Sequence, residues 1–176
     1  MRNHARIALL VMILLAGLAV STPVEAAGKF YVGGGLGFGF GDVDFVDLSG
    51  VFAYHVIPPV TIGLRLSWRN REDGRFDPEL TTNDYSAAVF TRWFVKRPFF
   101  LHAEIERLSW EYVNADLSKA RTDTNNFFVG GGVGHPLSKN VSLFATALYN
   151  LSYDSSEVRQ PYDNPWILRV GVGFSF

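Results

Sequence analysis

The sequence has no cysteine in its 176 residues, so no disulfide framework can hold the fold and stability must come from elsewhere. It also lacks an excess of charge of either sign: 16 Lys and Arg stand against 17 Asp and Glu. A near-neutral chain has no basic stripe with which to neutralise phosphates, which argues against a nucleic-acid partner. Beyond residue 20 there is no apolar run of the length a spanning helix needs, about 20 residues.

The one long apolar run covers residues 7–20 and is 14 residues long. Arg2 and Arg6 precede it, and STPVEAA follows with small residues at a cut after Ala26. This is the layout of a secretory signal peptide rather than of a spanning anchor. Residues 1–26 are therefore expected to be removed on export through the Sec pathway, leaving residues 27–176 as a single domain. Setting aside Arg2, Arg6 and Glu25 leaves 14 basic and 16 acidic residues.

What the chain does have is aromatic residues, at 15%, and 17 glycines. That pairing suits a β protein whose apolar surface is spread over many strands. Period-two alternation marks eight segments, at 29–40, 46–56, 60–69, 85–95, 99–112, 125–134, 141–153 and 166–176. The third is the cleanest: Val60, Ile62, Leu64, Leu66 and Trp68 alternate with Thr61, Gly63, Arg65, Ser67 and Arg69. The last, PWILRVGVGFSF, sets Trp166, Leu168, Val170, Val172, Phe174 and Phe176 against Ile167, Arg169, Gly171, Gly173 and Ser175. Successive strand residues point to opposite faces, so each segment has one bulky apolar side and one side of small residues with isolated charges. Such bulky rows suit acyl chains, not water.

The connections alternate too. Those at 57–59, 96–98 and 135–140 are short and contain proline, whereas 70–84, 114–123 and 154–165 are long and polar. Segments of roughly nine to eleven residues match strands tilted across the hydrocarbon of a bilayer. The predicted fold is all-β: an eight-stranded antiparallel up-and-down transmembrane β-barrel of the outer membrane. Lipid offers backbone groups no water, so the sheet must close and leave no edge. Two places break the phase. After Ile105 the lipid-facing positions become Arg107, Ser109 and Glu111, which calls for a bulge near Arg107 or emergence into the headgroups. In the fourth segment Phe90 and Phe94 share the inner face with Arg92, and no sequence pattern explains why.

An eight-stranded barrel is just wide enough to be filled by its own side chains. The inward positions include Asp47, Arg65, Arg69, Arg92, Glu104, Glu106 and Arg169, together with His55 and His102. In so narrow a space these charges must pair, so they are expected to form a lumen charge network. No catalytic, cofactor-binding or metal-binding set emerges. His55, His102 and His135 fall near the periplasmic ends of their segments, with no Ser–His–acid set beside them. The glycine clusters at 33–39 and 130–134 do not complete G-x-G-x-x-G. Asp42, Asp44 and Asp47 lack the placed glycine and distal glutamate of a calcium loop.

The leader, the opening GKFYVGGGLGFGF, the hairpin FFVGGGVGHPLSKNVSLFATALYNLSY and the closing ILRVGVGFSF resemble the small outer-membrane β-barrel proteins. These include the opacity-type proteins, OmpX and the membrane domain of OmpA. The resemblance covers essentially all of residues 27–176. It implies that the strand carrying Trp166, Leu168, Val170, Val172, Phe174 and Phe176 is the signal read by the barrel-assembly machinery. It further implies an integral place in the outer membrane of a Gram-negative cell, among its lipids and lipopolysaccharide. Three functions follow. The first is a non-enzymatic structural or surface-binding protein with a filled lumen, whose loops 70–84, 114–123 and 154–165 meet an extracellular ligand. The second is a narrow porin-like channel lined by Arg65, Arg92, Glu104 and Glu106. The third, a lipid-modifying enzyme, lacks a nucleophile and base near the outer leaflet. The first is the expectation carried forward.

Overall fold

The computed structural model describes residues 29–74, 80–113, 118–156 and 160–176, so the expected signal peptide, 1–26, lies outside the described residues. Eight strands follow in chain order: β1 (Phe30–Gly39), β2 (Val43–Ile57), β3 (Val60–Asp73), β4 (Leu80–Lys96), β5 (Phe99–Val113), β6 (Lys119–Pro136), β7 (Val141–Asn150) and β8 (Trp166–Ser175). Each pairs antiparallel with its neighbours, and β1 pairs with β8, so the sheet is a closed up-and-down barrel. The seam runs from Tyr31↔Ser175 to Phe38↔Leu168. It is extended by Phe176 N donating to Phe30 O at 2.9 Å and Phe30 N donating to Phe176 O at 3.1 Å.

The alternation of residue size sets which face looks out. Leu48, Leu64, Leu66, Val89, Leu101, Ile105 and Phe127 form an exposed apolar belt, with Leu66 as much as 66% accessible. Aromatic rings gather at both margins of that belt. Phe30 stacks with Phe52 and Phe176 at one margin, and Tyr149 meets Trp166 edge-on at 5.1 Å at the other. Glycine serves the inner face where the wall must approach a ring. A Cβ at Gly173 would collide with the Tyr31 ring, so Gly173 leaves the space that Tyr31 fills.

The two ends differ. At one, the connections between β2 and β3, β4 and β5, and β6 and β7 are tight; at the other, β2 to β6 run 14 to 18 residues, beyond the 10 of β1, β7 and β8. Crossing the hydrocarbon takes only about nine to eleven residues, so these five strands project past the belt. Here the structure differs from the sequence reading. Most of 70–84 and part of 114–123 are strand rather than loop. Polar residues mark a loop only where a strand needs an apolar face, and beyond the belt it does not. The projecting ladder is instead held by polar pairs such as Arg121 Nη2–Glu111 Oε1 at 2.7 Å and Trp110 Nε1–Thr124 Oγ1 at 3.0 Å. β7, conversely, stops at Asn150, and Tyr153 turns to give its hydroxyl to the Asp163 carbonyl at 2.7 Å rather than facing lipid.

There is no bulge at Arg107: it pairs with Ala87 and Asn125 in unbroken register. Its side chain is 68% exposed and its Nη2 lies 2.8 Å from Asp123 Oδ2, a donor that holds the Asp123 carboxyl below its usual range. The strand has left the belt. Register shifts occur instead between His55 and Ile57 and between Phe94 and Lys96, at the end with the tight turns.

Candidate functional site

The lumen is stacked in three layers. In the middle one, Arg65 on β3 reaches across to β5. Its Nη2 donates to Glu104 Oε1 at 2.7 Å and to Glu106 Oε1 at 2.9 Å, while Nη1 donates to Ser67 Oγ at 2.8 Å. Arg169 on β8 brings Nη1 within 2.8 Å of Glu104 Oε2 from the opposite wall. Asp47 on β2 lies 3.6 Å from both Arg65 Nη1 and Arg69 Nη2, held by charge without a hydrogen bond to either oxygen. Asn126 and Asn150 extend the network from Glu106 to β6 and β7. Six of the residues expected in the charge network thus meet here: Asp47, Arg65, Arg69, Glu104, Glu106 and Arg169.

Arg92 stands apart, in the layer nearer the tight turns. Its guanidinium lies 4.9, 5.4 and 4.8 Å from the ring centroids of Phe90, Phe100 and Phe144. Of the two rings that the sequence sets beside it, Phe90 belongs to a cation–π cage drawn from three strands, while Phe94 packs on Phe100 at 5.4 Å.

The third layer closes the other end. Phe45, Leu108, Trp110, Phe128, Leu148 and Ile167 pack with Tyr162 into a buried cluster. Tyr162 comes from the connection between β7 and β8, which the sequence reading placed outside the barrel. Its ring is 2% exposed, its hydroxyl accepts from Arg69 Nη2 at 2.9 Å and donates to Glu106 Oε2 at 2.6 Å. Burial pushes this hydroxyl well above the usual phenol range, so it keeps the proton it donates. Arg69 lies against both the Phe45 and Tyr162 rings, 4.1 and 4.8 Å from their centroids, and the two rings meet edge-on at 5.7 Å. Above this lid, Arg71 pairs with Asp84 at 3.0 Å and lies over Trp110. Arg71 continues the inward phase of Arg65 and Arg69, a signal the sequence did offer. Tyr162 carried none, because a loop has no period.

Tyr162→Ala should therefore leave the barrel folded while freeing the connection. Removing a buried aromatic costs about 3–5 kcal/mol. The expected result is faster proteolysis of 151–165 in reconstituted protein with unchanged heat-modified gel mobility, and Tyr162→Phe should lie between.

As chemistry, this arrangement holds charge rather than using it. Glu104 and Glu106 are enclosed by guanidinium, amide and phenol donors and have no free face for a proton acceptor's task. Among the described residues no group of three or more His, Cys, Asp and Glu is placed to hold a metal ion. On the outer wall, Trp166, Phe174 and Phe176 are exposed, while Leu168, Val170 and Val172 are partly covered by neighbouring strands.

A closed eight-stranded barrel, apolar outside and charged within, is the architecture of small outer-membrane proteins. No protein-family model and no curated protein matches the sequence. Solved structures share the fold. The N-terminal β-barrel domain of Pseudomonas aeruginosa OprF matches with a TM-score of 0.54 at 17% identity, covering 85% of this chain and 99% of that one. Neisserial surface protein A matches at 0.55 and 14% identity, covering 84% and 97%. The Yersinia pestis outer-membrane protein Ail, in a phospholipid bilayer nanodisc, matches at 0.53 and 11% identity, covering 85% and 99%. The chain has the fold of this OmpA-, OmpX- and opacity-like group.

Proposed function

We propose that the protein is an integral, non-enzymatic outer-membrane barrel with a closed lumen, acting through the surface it raises outside the cell. The apolar belt supports the membrane placement, since so many contiguous exposed apolar side chains are tolerated only against lipid. The end with tight turns faces the periplasm and the projecting strands face outward. Arg107, Lys119 and Arg121, on the outward side beyond the belt, meet the headgroup region of lipopolysaccharide. The β8 row from Trp166 to Phe176 serves as the signal to the barrel-assembly machinery. Binding function falls to the projecting ladder of β2–β6 and its connections, where an extracellular ligand would dock.

The observation that carries this reading is the lid on the lumen. Tyr162 and its cluster cover the charged layer, so the interior acts as a structural plug. Planar-bilayer recording of the refolded protein tests it. The expected trace is silent across applied voltages; unitary steps of stable conductance would replace this reading with the second one, a narrow channel past Arg65, Arg92, Glu104 and Glu106.

A further inference from the structure

Between the charged layer and the tight-turn end lies a cavity of about 40 Å³, lined by Tyr31, Arg92, His102, Glu104, Phe144 and Arg169 among others. The charges around it do not balance. Four guanidinium groups, those of Arg65, Arg69, Arg92 and Arg169, share this part of the lumen with three carboxylates, Asp47, Glu104 and Glu106. His102 adds no charge. Its Nδ1 accepts from Arg92 Nε at 3.4 Å, so its proton resides on Nε2, which donates to Glu104 Oε2 at 3.3 Å.

Arg92 is the cation left over. It donates to His102 and neighbours the Tyr31 hydroxyl, while among the described residues no carboxylate stands in ion-pair contact with it and Glu104 acts on it only from farther away. The next acids along the lumen, Asp73 and Asp84, lie beyond the lid and are engaged by Arg71. Asp84 is eight positions along β4 from Arg92, about 26 Å of strand at 3.3 Å per residue. A second group points the same way. The Arg169 side chain is only 10% exposed, and its Nε and Nη2 are buried without a hydrogen-bond partner. A buried cation that must share Glu104 with Arg65 and Arg169, next to one with two unmatched donors, is costly when the cavity is empty and well suited to an anion.

We propose that this cavity binds one small monovalent anion of chloride size between Arg92 and Arg169. The cavity is too small for a phosphorylated sugar or a nucleotide. The surrounding charge favours access from the periplasmic end. Residues 29–34, 52–63, 90–103, 130–146 and 170–176, which form that half of the wall, carry Lys29, Arg92, Lys96, Arg97 and Lys139 and no acidic side chain. A field of one sign raises the local concentration of the opposite ion. The proposal rests on lumen geometry alone and stands whether or not the outer surface binds a ligand.

Crystals of the detergent-solubilised protein soaked in bromide decide the position. An anomalous bromide peak within contact of Arg92 and Arg169 is expected; an ordered cavity holding only water at saturating bromide overturns the proposal. In solution, the unfolding midpoint should rise and saturate as gluconate, too bulky for the cavity, is exchanged for chloride at fixed ionic strength. Arg92→Gln should abolish the saturable part, and Glu104→Gln should shift half-saturation to lower chloride. A midpoint indifferent to chloride in the unsubstituted protein also overturns it, so the outcome does not depend on any variant folding.

Discussion

Glu104→Ala should lower the stability of the barrel in lipid vesicles by about 3–5 kcal/mol, the cost of breaking a buried ion pair by removing one partner. Glu104 is the acceptor common to three walls. It takes hydrogen bonds from Arg65 on β3, Arg169 on β8 and His102 on its own strand. Its loss leaves two guanidinium groups facing each other with Glu106 and Asp47 alone to offset them. Urea unfolding of vesicle-inserted protein, followed by gel mobility, measures the effect. The double variant Glu104→Leu with Arg169→Leu should recover part of it, because an apolar pair of similar volume can replace a buried ion pair at little cost. If the two single losses simply add, the 2.8 Å contact between Glu104 and Arg169 is not an energetic coupling and the lumen is not a network.

That network was partly legible in the sequence, for a definite reason. Strand residues alternate, so once the bulky row Leu64, Leu66 and Trp68 is assigned to one solvent, Arg65 and Arg69 have nowhere to go but inside. The same logic placed Glu104 and Glu106 inward. It failed where the physical cause of alternation ends. Past the belt a strand may carry polar residues on both faces, so residues 70–73, 80–84 and 119–123 looked like loop. The lid failed differently. Arg69 and Tyr162 are bonded across a sequence separation of 93, and nothing in the local composition of 154–165 distinguishes a residue that folds in from one that stays out. The Arg92 cage was invisible for the related reason that Phe100 and Phe144 arrive from other strands. Periodicity reports which way a side chain points, not which partners meet it there.

The second large effect belongs to the outer wall. Leu64 sits in the body of the belt, 55% exposed, between Phe52 on β2 and Val89 on β4. Leu64→Arg should cost about 2–4 kcal/mol in a bilayer, the depth-dependent penalty for a cation on the lipid face near the midplane. Glu72 lies on the same strand and the same outward side, eight residues farther on, past the end of the belt. Glu72→Arg should change stability by less than about 0.5 kcal/mol, as ordinary surface substitutions do. Vesicle-based urea titrations of the two variants side by side isolate the solvent that each position meets. A protein with this fold in water would show the opposite: Leu64→Arg would be tolerated, because an exposed leucine of a soluble barrel loses nothing by gaining a charge. Equal, small effects at both positions would remove the belt from lipid and with it the membrane placement.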